Sequence, residues 1–202
     1  YLTDILRISP EQEGTTVLIG SILAIVISFL FGIVLDRTVS DRGKGGIWVR
    51  RLFIPFVFLG IVLYAIPASL PTNTKFILAT ILYFVYIAIF NSYKAAYTAM
   101  APNITQDPKS RGTLSMQNMV WGMVIGIIVN NFLLTIVEKL GGGHKGFLYT
   151  AILFVAVGSI FSLYFLFTCK EEIREDRTKQ KKARSRSLLA DIKGLIANKY
   201  WI

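Results

Sequence analysis

From residue 15 to residue 35 the chain carries no charged side chain, and this run constrains the fold more than any other feature. A helix needs about 20 mostly apolar residues to cross a bilayer. Residues 48–66, 76–100, 116–137 and 147–168 reach or approach the same length. The 48–66 span owes its length to Trp48, with Arg50 and Arg51 able to snorkel to the headgroups. Without water in the hydrocarbon layer the backbone must bond to itself, which a helix does. Strands of a membrane barrel would alternate apolar and polar residues, and these segments do not. With 53% hydrophobic residues and a mean hydropathy of +0.56, the expected fold is an all-α membrane protein, a polytopic helical bundle.

Orientation follows from the cations. The 36–51 loop carries Arg37, Arg42, Lys44, Arg50 and Arg51; the 102–113 loop carries Lys109 and Arg111; residues 170–199 carry ten more. These seventeen face only four on the other side, namely Arg7, Lys75, Lys139 and Lys145. Both loops and the tail are therefore expected in the cytoplasm of a multi-pass plasma or inner membrane protein. The net charge of +10 is then a topology signal, and no nucleic-acid partner is expected.

Cys169 is the sole cysteine, so no intramolecular disulfide can form. The opening residues 1–14 show no cleavable signal pattern. The absence of an initiating Met suggests a fragment in which residues 1–9 are the outer end of a first spanning helix otherwise missing. Ser9 and Pro10 read as a helix start, because proline at the first helical position loses nothing by lacking its N–H. Gly20 and Gly32 read as points of close helix approach. Residues 140–146, with three consecutive glycines, read as an external turn. Residues 170–186 are too charged to pack a core. Leu188, Leu189, Ile192, Leu195 and Ile196 recur at the spacing of an amphipathic surface helix, and residues 200–202 look like the start of a further span.

The third span holds the most chemistry. Its first half is aromatic, with Phe76, Tyr83, Phe84 and Tyr86, and its second half turns polar. At 3.6 residues per turn Asn91, Lys94 and Thr98 share one face with Tyr83 and Ile87, and a polar stripe on a spanning helix should face a cavity. The fourth span adds Gln117, Asn118 and Trp121, with Gly122 and Gly126 as a small-residue pair for close packing. Apart from Arg50 and Arg51 at the edge of the second span, Lys94 is the only charge inside a span. It lies eight residues before Pro102, about 12 Å along a helix, and an isolated ammonium there costs on the order of 3 kcal/mol. Two readings are open: the stem snorkels to the headgroups, or the ammonium lines a cavity and meets an anionic or hydroxyl-rich solute or a carboxylate on another helix. The candidate solute site is Lys94, Asn91, Thr98, Gln117 and Trp121.

All twelve acidic residues lie in loops or at span edges, so the spans offer no carboxylate to a cation. Asp36, at the negative end of a helix macrodipole, calls for a facing cation such as Arg42, Lys44 or Arg111, or is a solvated loop acid. Asp107 and Arg111 could equally be a surface pair. With one histidine (His144) and no phosphate-loop ending after Gly43-Lys44, the chain is not expected to be an enzyme. No cofactor is expected.

The segment from Gly32 to Trp48 resembles the loop between the second and third helices of the glycoside–pentoside–hexuronide:cation symporters. These form a branch of the major facilitator superfamily that includes melibiose permease. The family pattern Gly-x3-Asp-Arg-Thr-x-Ser-x-x-Gly-Lys/Arg-x3-Trp matches Gly32, Asp36, Arg37, Thr38, Ser40, Gly43, Lys44 and Trp48. Residues 1–9, 105–114, 141–147 and the pair 167–171 and 195–201 are similar to four further family stretches, in register.

The resemblance implies the major facilitator fold, as an N-terminal six-helix bundle lacking most of helix 1. Residues 10–169 would be helices 2–6, residues 170–199 the central cytoplasmic loop and 200–202 the start of helix 7, with the C-terminal half of the chain as partner. It implies rocking-bundle alternating access, with Asp36, Arg37, Gly43, Lys44, Asp107 and Arg111 as a cytoplasmic latch. Asp41 and Arg42 depart from the family, which usually has a basic and an aromatic residue there. The paired carboxylates of the melibiose permease cation site fall on Ala24 and Ser28. A sugar-contacting aspartate falls on Lys94, and an arginine near the sugar falls on Met119. The expected function is secondary active transport of sugars, glycosides or uronides, with Na+ or H+ coupling altered because this site lacks its carboxylates. The inversion at Lys94 favours an anionic substrate. Transport of another organic solute (lysolipid, nucleoside or other anion) or a non-transporting receptor or scaffold are the alternatives.

Overall fold

The computed structural model describes residues 3, 5–6, 8–38, 43–67, 69–100, 103–105 and 107–169. These form five helices: α1 (Pro10–Asp36), α2 (Lys44–Val62), α3 (Thr72–Met100), α4 (Pro108–Lys139) and α5 (Gly143–Thr168). All five are long and apolar enough to cross a membrane, and no strand occurs among the described residues. The tail at 170–199, the expected surface helix at 188–196, the segment 200–202, and Ser40, Asp41, Arg42 and Pro102 lie outside the described residues.

Local chemistry sets the helix ends. Ser9 caps α1, its Oγ accepting from Gln12 N at 3.3 Å, with Pro10 at the first position as expected. Asp107 caps α4 in the same way, ahead of Pro108. Each span begins four to eight residues before its apolar run, because the polar first turns 10–14, 44–47, 72–75, 108–115 and 143–146 are helical too. The turn expected at 140–146 is correspondingly shorter. Gly141, Gly142 and Gly143 take positive φ, a region open to glycine without steric cost, and His144, Lys145 and Gly146 already belong to α5.

The helices are ordered in space as α1, α3, α2, α5, α4, each packed on the next, with a lesser contact between α1 and α2. Two small cores hold this row together. Phe31, Leu35, Val49, Ala96 and Leu166 meet at the end where α1 turns into α2. Leu6, Ile8, Ile66 and Ala79 meet at the other end. Between the cores the outer surface is hydrophobic: Ile25 and Ile54 are both 72% exposed and Phe167 79%. Such a surface suits acyl chains as its solvent and would be costly in water.

Glycines allow close approach between helices. A Cβ on Gly20 would stand 2.7 Å from the Tyr83 ring of α3, and one on Gly146 would collide with the Val137 carbonyl of α4. The expected close approaches at Gly32, Gly122 and Gly126 are not made among the described residues, where nothing lies within 4 Å of a Cβ built there. The reason is the row arrangement: α4 packs on α5 alone among the described helices, so its Gly122–Gly126 face meets nothing.

Candidate functional site

α3 carries the polar stripe. Its upper part packs on α1, where Tyr83 and Ile87 approach Gly20 and Thr80 Oγ1 lies 3.5 Å from Thr16 Oγ1. Asn91 is half-buried, and Lys94 and Thr98 are exposed. Asn91 Nδ2 donates to the Ile87 carbonyl at 2.8 Å, and Thr98 Oγ1 donates to the Lys94 carbonyl at 2.9 Å. Both side chains thus hydrogen-bond to their own helix, and each retains an acceptor oxygen. Lys94 offers three N–H donors and no acceptor. Side by side, the three provide a positive donor flanked by acceptors, which suits an anion that also carries hydroxyls.

Gln117 and Trp121 share a face of α4, four residues apart, and both are exposed. They are not brought to Lys94, because α3 and α4 do not pack on each other. Ala24 and Ser28 are half-buried on α1 and carry no carboxylate. Among the described residues no three His, Cys, Asp or Glu side chains group as a metal site.

Residues 36–38 and 43–48 form a clasp between α1 and α2. Asp36 ends α1 and is exposed, while Arg37 caps that helix half-buried. Gly43 precedes α2 at φ 89° and Lys44 opens the helix. Trp48 closes the clasp, its indole Nε1 donating to Thr38 Oγ1 at 2.8 Å. Its ring meets Phe31 edge-on at 5.3 Å, and the Arg51 guanidinium lies 5.5 Å over it, a cation–π distance.

The second loop corrects an expectation. Instead of facing Arg111 as a surface pair, the Asp107 carboxylate caps α4. It accepts from Ser110 Oγ at 2.6 Å, Ser110 N at 2.9 Å and Lys109 N at 3.4 Å. The Ser110 hydrogen bonds hold its carboxyl below the usual carboxylate range. Arg111 instead donates from Nε to the Thr105 carbonyl at 2.8 Å.

Three contacts escaped sequence reasoning. Gly45 lets the start of α2 touch the backbone of α3 at Ala96 and Met100; its only signal was the Gly45-Gly46 pair. Arg50 Nη2 donates to the Leu166 carbonyl of α5 at 3.2 Å, although it reads in sequence as a headgroup cation. His144 Nε2 lies 2.6 Å from the Ile66 carbonyl, and nothing in the sequence pairs positions 78 residues apart.

Comparison with known proteins agrees with this architecture. The family model described as MFS/sugar transport protein matches residues 1–202. The chain is 26% identical over 207 residues to the isoprimeverose transporter of Lactiplantibacillus pentosus, covering all of this chain and 42% of that protein. It is 27% identical over 203 residues to the inner membrane symporter YicJ of Escherichia coli (strain K12), covering all of this chain and 43% of that one. A third relative, the "Putative 2,3-dihydroxypropane-1-sulfonate exporter" of the same organism, is 26% identical across 87% of this chain and 38% of its own length. The chain thus spans less than half the length of the curated relatives it matches. Its five spans make it a multi-pass membrane protein.

Proposed function

Since this chain belongs to the MFS/sugar transport protein family, we propose that the full-length protein is a secondary active transporter of a sugar, glycoside or uronide, working by alternating access. The observation that carries the substrate reading is Lys94, a cation exposed on α3 about one turn from the polar side chains of Asn91 and Thr98. It favours a hydroxylated solute with an anionic group, such as a hexuronide. Two relatives support the two halves of that description: one is named for a disaccharide, isoprimeverose, and one for a dihydroxylated sulfonate. Gln117 and Trp121 join the site only if a further segment bridges α3 and α4. The 36–51 and 102–113 loops face the cytoplasm, on the seventeen-to-four division of the cations, and close that side against the C-terminal half. Coupling to Na+ or H+ does not run through Ala24 and Ser28.

Uptake into proteoliposomes holding the full-length protein tests this reading. Radiolabelled glucuronide and the matching neutral glycoside are compared, with and without a Na+ or proton gradient. Lys94→Ala is expected to lower glucuronide uptake about tenfold or more, the scale of a lost charged hydrogen bond, and to spare the neutral glycoside. Equal uptake by variant and parent removes Lys94 from the site. No uptake of any solute overturns the transport reading itself.

A further inference from the structure

Arg50 and Arg51 are adjacent cations near the start of α2, and both are exposed. Each is held by a neutral partner. Arg50 Nη2 donates to the Leu166 carbonyl at 3.2 Å. Leu166 lies two residues before the end of α5 at Thr168, so its carbonyl is one of those a helix leaves without an internal partner. The Arg51 guanidinium lies 5.5 Å over the Trp48 ring. These contacts spend one N–H of Arg50 and none of Arg51, whereas a guanidinium has five. Among the described residues neither group meets a carboxylate, so two full charges stand side by side without a counter-charge from them.

Their level in the membrane follows from the same partners. The apolar run of α5 ends at Thr168, next to the carbonyl that Arg50 holds, and an indole such as Trp48 suits the membrane–water boundary. Past the arginines α2 turns an apolar face outward, with Ile54 72% and Phe58 63% exposed. At 3.6 residues per turn Arg51, Ile54 and Phe58 fall within about 60° of one another. The packed side of α2 is the opposite one. There Phe56 stacks on Tyr93 of α3 at 5.1 Å, and a Cβ on Gly60 would lie 3.5 Å from Val155 of α5. Any further span that packs among α2, α3 and α5 meets the Phe56–Gly60 side and leaves the arginine side outward.

One membrane component is complementary to such a face. Acyl chains match Ile54 and Phe58 but leave the charges unanswered, and a zwitterionic headgroup brings a cation of its own. We propose that Arg50, Arg51, Ile54 and Phe58 form a binding site for a phospholipid with an anionic headgroup. Its phosphate meets the two guanidinium groups, whose planar forks match phosphate geometry, and an acyl chain lies along Ile54 and Phe58. The Leu166 carbonyl and the Trp48 ring hold the forks in place beforehand, which lowers the ordering cost of binding.

Native mass spectrometry tests this on the full-length protein released from nanodiscs of phosphatidylglycerol and phosphatidylcholine in equal amounts. The parent should retain phosphatidylglycerol in preference. Arg51→Gln should lower that preference about fivefold, the scale of one arginine at a membrane surface, and Arg50→Gln added to it should lower it further. Arg51→Gln removes no hydrogen bond between helices, so it reports even if the double variant folds poorly. Arg51→Lys keeps the charge without the fork and should recover only part of the loss. Lys109→Gln, which removes a cation at the start of α4, should leave the preference unchanged. An unchanged preference in Arg51→Gln overturns the site. An equal loss in Lys109→Gln shows diffuse attraction to every cation and overturns it too. Displacement of the retained lipid by excess glycerol phosphate places the site in water and overturns the lipid as its occupant.

Discussion

The indole of Trp48 donates a 2.8 Å hydrogen bond to the hydroxyl of Thr38, joining the start of α2 to the end of α1. Thr38 in turn donates to the Val34 carbonyl at 2.8 Å, so the bond continues into the last turn of α1. Trp48→Phe removes the donor, together with part of the ring surface that Phe31 and Arg51 contact. It should destabilise the protein by about 1 kcal/mol, read as a lower melting temperature, while Thr38→Val should give a similar loss. Non-additivity in the double variant would show that the two report one bond.

Gly45 is the tightest test of the α2–α3 crossing. A Cβ there would stand 2.7 Å from the Ala96 carbonyl oxygen and 2.9 Å from Met100 N, and backbone cannot rotate away as a side chain can. Gly45→Ala is therefore expected to cost about 1–3 kcal/mol, as overpacking does. Gly14→Ala, with nothing within 4 Å, should instead be neutral or gain up to about 1 kcal/mol of helix propensity. Thermal unfolding of the two variants side by side checks the contrast.

The Asp107 cap should depend on pH in one direction only. Its carboxyl titrates below its ordinary value when folded, mainly because of Ser110. The stabilisation is present above the unfolded value, near 3.9, and is lost as pH falls through the lower folded value. Hydrogen-exchange protection of amides 109–112 should thus be insensitive to the cap's ionisation at pH 5–8 and fall below about pH 4. Asp107→Asn should keep the cap with no such acid step, and Asp107→Ala should lose protection at every pH.

The His144 tie predicts a local effect. A carbonyl only accepts, so Nε2 must carry the hydrogen it shares with Ile66. His144→Ala should cost about 1 kcal/mol and raise exchange at the start of α5 more than at its end. Uniform change along α5 would show that the bond does not hold that terminus.

Segment length and uncharged runs made all five spans legible, because a helix that buries little of itself is specified by its own composition. The Ser9–Pro10 start was legible for the same reason, being a contact between neighbours in the chain. Contacts between helices were less so. Gly20 was read correctly as a close approach, whereas Gly32, Gly122 and Gly126 look identical in sequence and meet nothing. The polar stripe of α3 was visible from its period. That Asn91 and Thr98 donate to carbonyls of their own helix was not, since rotamers answer to the local backbone.

By itself the sequence determined that this chain has five segments able to cross a membrane within residues 10–168, that Ser9 and Pro10 start the first helix, and that Lys94 interrupts the apolar run of the third. Those properties depend on solvation and on bonds a few residues long. Only the tertiary structure decided that α3 and α4 stand apart, that Gly45 meets the backbone of α3, and that Arg50 reaches the Leu166 carbonyl of α5. Each of these depends on which helices become neighbours, and in an apolar solvent hydrophobic patterning does not choose neighbours. Close packing and a few directed hydrogen bonds do.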